Sequence, residues 1–286
     1  MTLQRRLSPL HRRGPLTVLG LLLMAALTAA LTGWSGTTGA PGSSPPSHAA
    51  ATSRTAVPGT AAGSERLTVV GIGDSVTAGS ACDCTDFVHR YATQVPASAG
   101  GPARAVNLGE GGQTSAQLLS ELHSGGAMSS QVASADVVLV TIGANDLLPL
   151  LDTWSSSGCA ASCSSPGVRA VARNITGIVD RTRALRAGHP TRILVTGYWN
   201  VFEDGDVASA ARGAAYLAWS DALSRQLNTA VCSAAEGAGA TCVDLYAPFK
   251  GDGTRNPTSL LAGDGDHPNA AGHDVIAAAL LRATRF

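Results

Sequence analysis

The sequence predicts a doubly wound α/β domain, and three observations predict it. Short β-branched apolar runs end in glycine, segments with apolar residues at helical spacing separate them, and the two kinds alternate over about 220 residues. Continuous apolar strands of this sort suit a parallel sheet covered on both faces.

Taken in order, Arg66 to Gly73 (RLTVVGIG) reads as the first strand and Ala103 to Leu108 as a weaker one. Thr114 to His123 is a helix, with apolar residues at helical spacing behind a threonine suited to capping. Asp136 to Gly143 (DVVLVTIG) is the strongest strand. A long helix over Val168 to Ala187 leads to the strand Arg192 to Gly197 (RILVTG). A second long helix over Val207 to Ala235 leads to a weak strand, Thr241 to Leu245, and Asn269 to Thr284 closes the chain as a helix. There is no internal repeat.

The 286 residues divide into three expected regions. Residues 1–34 carry Arg5, Arg6, Arg12 and Arg13 ahead of an apolar run from Leu16 to Leu31, the pattern of a secretory signal peptide or an N-terminal anchor. Residues 35–64, rich in Ser, Thr, Pro, Gly and Ala, cannot bury enough apolar surface to offset ordering entropy and read as a disordered linker. Residues 65–286 are the domain. The expected location is therefore secreted or extracellular, with a possible membrane tether through the N-terminus.

Residues 1–64 hold five arginines and no acid, so the domain keeps fifteen basic against twenty acidic side chains, a net charge of about −5. Such a body gives nucleic acid no electrostatic reason to bind. After residue 34 no run approaches the roughly 20 apolar residues that span a bilayer. The domain is expected to act as a monomer.

Six cysteines, all beyond the linker, fit an oxidising compartment. Six allow fifteen connectivities, of which nearest-neighbour pairing is the simplest: Cys82–Cys84, Cys159–Cys163 and Cys232–Cys242. No two ligand pairs at zinc-type spacing stand near a histidine, so disulfides are expected and metal is not.

Ligands of doubly wound sheets bind beyond the carboxyl ends of the strands, so the residues that follow each strand matter most. They are Gly73-Asp74-Ser75, Asn107 through Thr114, Gly143-Ala144-Asn145-Asp146, and Asp264-Gly-Asp-His267-Pro-Asn269 before the last helix. A serine hydroxyl attacks only if a base takes its proton, and the base must itself be oriented. Asp264 and His267, three apart, can set a carboxylate on one imidazole nitrogen and leave the other free for Ser75. The oxyanion formed on attack needs donors, which the Ser75 N–H, a glycine N–H and the Asn145 amide can supply. Alone, Ser75 would read as a turn or capping residue and His267 as a surface histidine; their company changes the reading. His89, His123, His189 and His273 lack such company and read as structural or solvent-exposed.

These four clusters resemble the SGNH (GDSL) hydrolase family of secreted esterases and lipases, in order and placement, from about residue 67 to the C-terminus. Val76 stands where the family name has leucine. The resemblance implies a three-layer α/β/α sandwich with a five-stranded parallel sheet, flavodoxin-like in plan, and no metal or organic cofactor. It implies Ser75 as nucleophile, His267 as base and Asp264 as orienting acid, with Ser75, Gly112 and Asn145 as oxyanion hole. Asp266 competes with Asp264; family spacing favours Asp264, and a helix-capping role suits Asp266.

The aromatic run Tyr198-Trp199-Asn-Val-Phe202 follows the fourth strand and is the candidate wall of the acyl or sugar pocket, with Trp154 a further candidate to lie over it. The dinucleotide fingerprint begun by Gly71-x-Gly73 fails at Val76, and the Gly-x-Ser-x-Gly elbow fails at Thr77. The expected function is a cofactor-free serine esterase acting on short-chain acyl or acetyl esters of small molecules, carbohydrates or lipids. A lipase or lysophospholipase on longer chains, and a non-catalytic cell-surface carbohydrate-binding module of the same fold, are the alternatives.

Overall fold

The computed structural model describes residues 66–95 and 102–284; the expected leader and linker lie outside the described residues. The chain runs β1 (Thr68–Gly73), α1 (Ser75–Ala78), α2 (Phe87–Gln94), β2 (Arg104–Gly109), α3 (Ser115–His123), α4 (Ala127–Ala133) and β3 (Val137–Thr141). It continues through α5 (Pro149–Ser157), α6 (Ala161–Leu185), β4 (Arg192–Thr196), α7 (Gly205–Ala211), α8 (Gly213–Gly237), β5 (Thr241–Val243), α9 (Tyr246–Lys250) and α10 (Ala270–Ala283).

All five strands are parallel, in the order β2-β1-β3-β4-β5, and helices cover both faces. On one side α6 packs on both α3 and α8; on the other α2 packs on α10. The central strands explain the continuous apolar runs. Val69, Val70 and Ile72 of β1 and Val137 to Val140 of β3 are fully buried, because helices close both faces above and below them. The two strands that read weakly, β2 and β5, are the half-buried sheet edges, and β5 is also short. No helix among the described residues is long and apolar enough to cross a membrane.

Two helix boundaries differ from the sequence reading. α6 starts at Ala161, seven residues before the expected Val168, and carries Pro166 in its second turn. The expected Val207–Ala235 helix is broken at Gly213, whose φ of +78° takes the backbone out of the helix between α7 and α8. The cysteines pair as nearest neighbours: Cys82–Cys84, Cys159–Cys163 and Cys232–Cys242.

The strand order places a topological switch between β1 and β3, since the chain leaves β1 toward β2 on one side and returns to β3 on the other. A crevice forms at the carboxyl ends of two such strands. Ser75 follows β1 and Asn145 follows β3, so the fold brings both to that crevice.

Candidate active site

The turn after β1 is fixed by close packing. A Cβ at Gly73 would fall 2.0 Å from the Thr141 carbonyl oxygen, and its φ is +138°, so only glycine lets β1 leave the sheet here. Asp74 N–H donates to Thr141 O at 3.0 Å, and the Asp74 carboxylate accepts the Val76 N–H at 3.0 Å, capping α1. The Tyr198 hydroxyl donates to the other Asp74 oxygen. Burial lifts the Asp74 carboxyl to about 6 in spite of these donors, among them Tyr198 and Val76. Ser75 is thus the first residue of a short, firmly anchored helix. Its N–H is one of those that a first helical turn leaves without an intrahelical partner.

The second and third clusters are tied to each other. The Asn107 amide donates to Thr77 O at 2.7 Å and its oxygen accepts the Gly109 N–H at 2.9 Å, which binds β2 to α1. Gly112 has φ +80° and open space where a Cβ would stand, so backbone is exposed there to an incoming group. The Asn145 amide donates to Gln113 O at 2.9 Å, which uses one of its two hydrogens and leaves the other. Asp146 accepts both the N–H (2.8 Å) and the hydroxyl (2.7 Å) of Ser115, so it holds the loops together.

The fourth cluster carries the imidazole. Asp264 folds over its own loop: Oδ1 accepts the backbone N–H groups of Asp266 and His267 at 3.2 Å each, and Oδ2 lies 2.8 Å from His267 Nδ1. Asp266 Oδ1 is also 2.8 Å from Nδ1, buried and without hydrogen-bond alignment. One ring hydrogen cannot point at two acceptors, and alignment gives it to Asp264. The expected capping role of Asp266 is not what the structure shows. Asn269 caps α10, accepting the Gly272 N–H at 3.1 Å, while Asp266 faces the imidazole.

Together the acids hold the imidazolium. The adjacent carboxylate of Asp266 first, opposed by partial burial and joined by Asp264, pushes His267 up to about 9. Burial lifts Asp266 above the ordinary carboxylate value. The same effect at Asp264 is outweighed by hydrogen bonds from His267, Asp266 and their backbone amides, which hold it below.

Ser75, Gly112, Asn145 and His267 line one cleft of about 360 Å³, with Leu148 and Val201 as apolar neighbours. No hydrogen bond joins the Ser75 hydroxyl to His267 among the described residues; such bonds are often long before substrate enters. A cavity of about 640 Å³ opens at the other end of the sheet, lined by Arg192, Thr241 and Arg282. Its size exceeds that of the cleft, but it gathers no nucleophile beside a base, so chemistry rather than volume locates the site.

The aromatic wall is a correction. Tyr198 and Trp199 are fully buried and Phe202 is 2 % exposed, so none of the three borders the cleft. The chain turns inward after β4: the Asn228 side chain bonds both the N–H and the carbonyl of Tyr198, and Trp199 stacks on Phe249 at 4.3 Å. Their polar atoms brace the site from behind. Tyr198 holds Asp74, and Trp199 Nε1 donates to Asp266 O at 3.2 Å. Trp154 packs on Tyr216 and Trp219. Of the run after β4 it is Val201 that lines the cleft, together with Leu148, which the sequence reading did not single out. Leu148, 45 % exposed beside the buried Leu147, is a large apolar residue that a turn would not otherwise carry outward.

Among the described residues, two side-chain groups bring three metal-ligating atoms together: Asp264, Asp266 and His267, and Cys82, Cys84 and His273. The first is the carboxylate–imidazole cluster just described.

Residues 72–275 match the family model described as GDSL-like lipase/acylhydrolase. No curated protein sequence matches the chain. Among solved structures, a lipase from a goat rumen metagenome, Lip_vut3, is 19 % identical with a TM-score of 0.62, over 76 % of this chain and 97 % of that one. The acetylxylan esterase Axe2 from Geobacillus stearothermophilus is 21 % identical with a TM-score of 0.54, over 77 % and 94 %. LAE5, a hydrolase from the metagenome of Lake Arreo, is 20 % identical with a TM-score of 0.52, over 76 % and 94 %. At these identities the likeness is one of fold.

Proposed function

Since the chain belongs to the GDSL-like lipase/acylhydrolase family and is a carboxylic ester hydrolase, we propose that it works as a serine esterase with Ser75 as nucleophile. The observation that carries this reading is the gathering of Ser75, Gly112, Asn145 and His267 on one cleft at the β1/β3 switch, with Asp264 behind the imidazole. Ser75 Oγ attacks the ester carbonyl while His267 Nε2 takes its proton, and the carbonyl oxygen becomes an oxyanion. The N–H groups of Ser75 and Gly112 and the free amide hydrogen of Asn145 receive that charge. His267 returns the proton to the leaving alcohol, and water, deprotonated by the same imidazole, releases the acyl group. Asp264 holds the ring so that Nε2 faces the serine.

Short acyl or acetyl esters are the favoured substrates. A cleft of about 360 Å³ lies at the small end of the usual range for ligand pockets, roughly 300–1,000 Å³. Its apolar lining rests on Leu148 and Val201 rather than on an aromatic floor. Secretion or tethering through residues 1–34 belongs to the same reading. The test is labelling by a fluorophosphonate together with hydrolysis of p-nitrophenyl acetate. Wild-type protein labels and turns over, Ser75→Ala does neither, and full turnover by the variant removes Ser75 from the mechanism. A series of longer p-nitrophenyl esters beside acetylated xylan then ranks the substrates.

A further inference from the structure

His273, on α10, is completely buried, and neither ring nitrogen has a hydrogen-bond partner among the described residues. Buried polar atoms are almost always paired, and leaving one unpaired is costly. Phe87 lies along the ring, with centroids 6.1 Å apart. Sulfur is what the ring meets instead. A nitrogen of His273 and the Sγ atoms of Cys82 and Cys84 all lie within 4.8 Å of one another.

The two cysteines sit in the half-exposed loop between α1 and α2, joined as a disulfide that closes the smallest of the three cystine loops. A small loop has the least chain entropy to favour its bridge. A dithiol in solution can reach it.

We propose that Cys82 and Cys84, once reduced, bind one thiophilic d10 cation, Zn(II) or Cu(I), together with His273. In the reduction a dithiol attacks the Cys82–Cys84 bond, passes two electrons and two protons to the two sulfurs, and closes to its own disulfide. The cation then displaces the two thiol protons, which leave to solvent, and accepts a lone pair from an unprotonated nitrogen of His273. Two thiolates and an imidazole are a soft set. Three ligands are enough for Cu(I), and a water completes four for Zn(II). With no hydrogen-bond partner among the described residues, the buried ring keeps a nitrogen lone pair for a cation. A Cys-x-Cys spacing alone would not announce such a site. The fold adds the third ligand from the last helix.

The ester chemistry plays no part in this site, and its test needs no turnover. The full chain is reduced with a phosphine and titrated with Co(II), a spectroscopic stand-in for Zn(II), and separately with Cu(I) held by a chromophoric chelator. The expected result is one bound equivalent of either metal, for Co(II) with a thiolate-to-metal charge-transfer band. The Cys82→Ser/Cys84→Ser double variant loses it, and His273→Ala weakens it by at least about tenfold. The double variant keeps the other four thiols, so binding that survives there overturns the proposal. Binding of neither metal by the reduced wild type overturns it, as does unchanged affinity in His273→Ala. If His273→Ala does not fold, ring-nitrogen resonances of the wild type decide: those of His273 shift with Zn(II) if it is a ligand, and their constancy rules it out.

Discussion

His267 and His273 stand on either side of the first turn of α10 and carry the same imidazole into opposite surroundings. His267 meets two carboxylates 2.8 Å from one nitrogen and is pushed up to about 9. His273 is enclosed by Phe87 and a cystine, finds no acceptor, and is pushed down to about 4. Six positions of sequence thus separate a proton held from a proton refused. The difference lies in what each ring faces, because the loop before the helix sets one at the cleft edge and the helix carries the other into the interface with α2.

The comparison breaks most plainly in turnover. His267→Ala should lower kcat by roughly 10⁴- to 10⁶-fold, the scale at which a serine hydrolase loses its base. A folded His273→Leu should stay within about threefold of wild type, since it touches no reacting atom. Hydrolysis of p-nitrophenyl acetate measures both, and equal losses would mean that nearness to the start of α10, not role, sets the effect. Next in size, Asn145→Ala should cost about 10²- to 10³-fold in kcat with folding intact, the loss of one oxyanion donor. A change confined to KM would place Asn145 in ground-state binding instead.

Stability against pH sharpens the same contrast. His267 has its folded pKa above its unfolded value, so its contribution is complete below about 6.5 and is lost as pH rises through about 9. His273 is reversed: the unfolded chain takes the proton first, and stability is lost as pH falls from about 6.5 toward about 4. Each flank amounts to about 3 kcal/mol at most, at 1.36 kcal/mol per pKa unit. Asp74 works against His273 on the acid side. Its raised folded pKa means that the native state takes a proton before the unfolded chain does, so stability is gained as pH falls from about 6 to about 4. Urea midpoints of the wild type should therefore vary little between pH 4 and 6. His273→Leu should leave Asp74 alone to act and turn that interval upward toward acid. An unchanged profile would show that His273 titrates normally.

Much of this was legible in the sequence, and for one reason. Buried parallel strands must be apolar throughout, so β1, β3 and β4 announce themselves, and the residues just past their carboxyl ends fall on one rim. The edges β2 and β5 read weakly because half their surface meets solvent. The short helices α4 and α9 have too few turns to show a period, while α2 and α5, about as long as the recognised α3, went unread; α2 carries the Asp86 cap that accepts the N–H groups of Val88 and His89. Ser75, Asn145 and His267 could be singled out because they stand just past strand ends or before the last helix, whereas Gly112 and the choice of Asp264 over Asp266 came from the family resemblance. The role of Tyr198, Trp199 and Phe202 was not legible, because a run of aromatics after a strand reads alike whether it faces a cleft or a core. Only tertiary packing on Phe249 and Asn228 decides. Asp266 shows the same limit at the scale of a single side chain: next to a histidine in sequence, it reads as a cap until its oxygen is seen beside Nδ1.

Asp266 is also where the comparison admits its finest test. His267 must be neutral to act as base, so kcat/KM should rise with pH and level off above about 9. Two acids hold the ring charged, but in different ways. Asp264 accepts the aligned hydrogen and orients the ring; Asp266 is close and misaligned, so its effect is chiefly that of a nearby negative charge. Removing the orienting acid should cost turnover at every pH. Removing the second should cost little at the plateau, less than about tenfold, and move the ascending limb down toward the ordinary histidine value of about 6.5. Asp266→Asn would then be the faster enzyme near neutral pH, because more of its imidazole is free to accept a proton. A pH profile of kcat/KM for Asp264→Asn and Asp266→Asn separates the roles. If Asp266→Asn lowers the plateau as far as Asp264→Asn does while leaving the limb in place, the assignment of the two carboxylates is reversed.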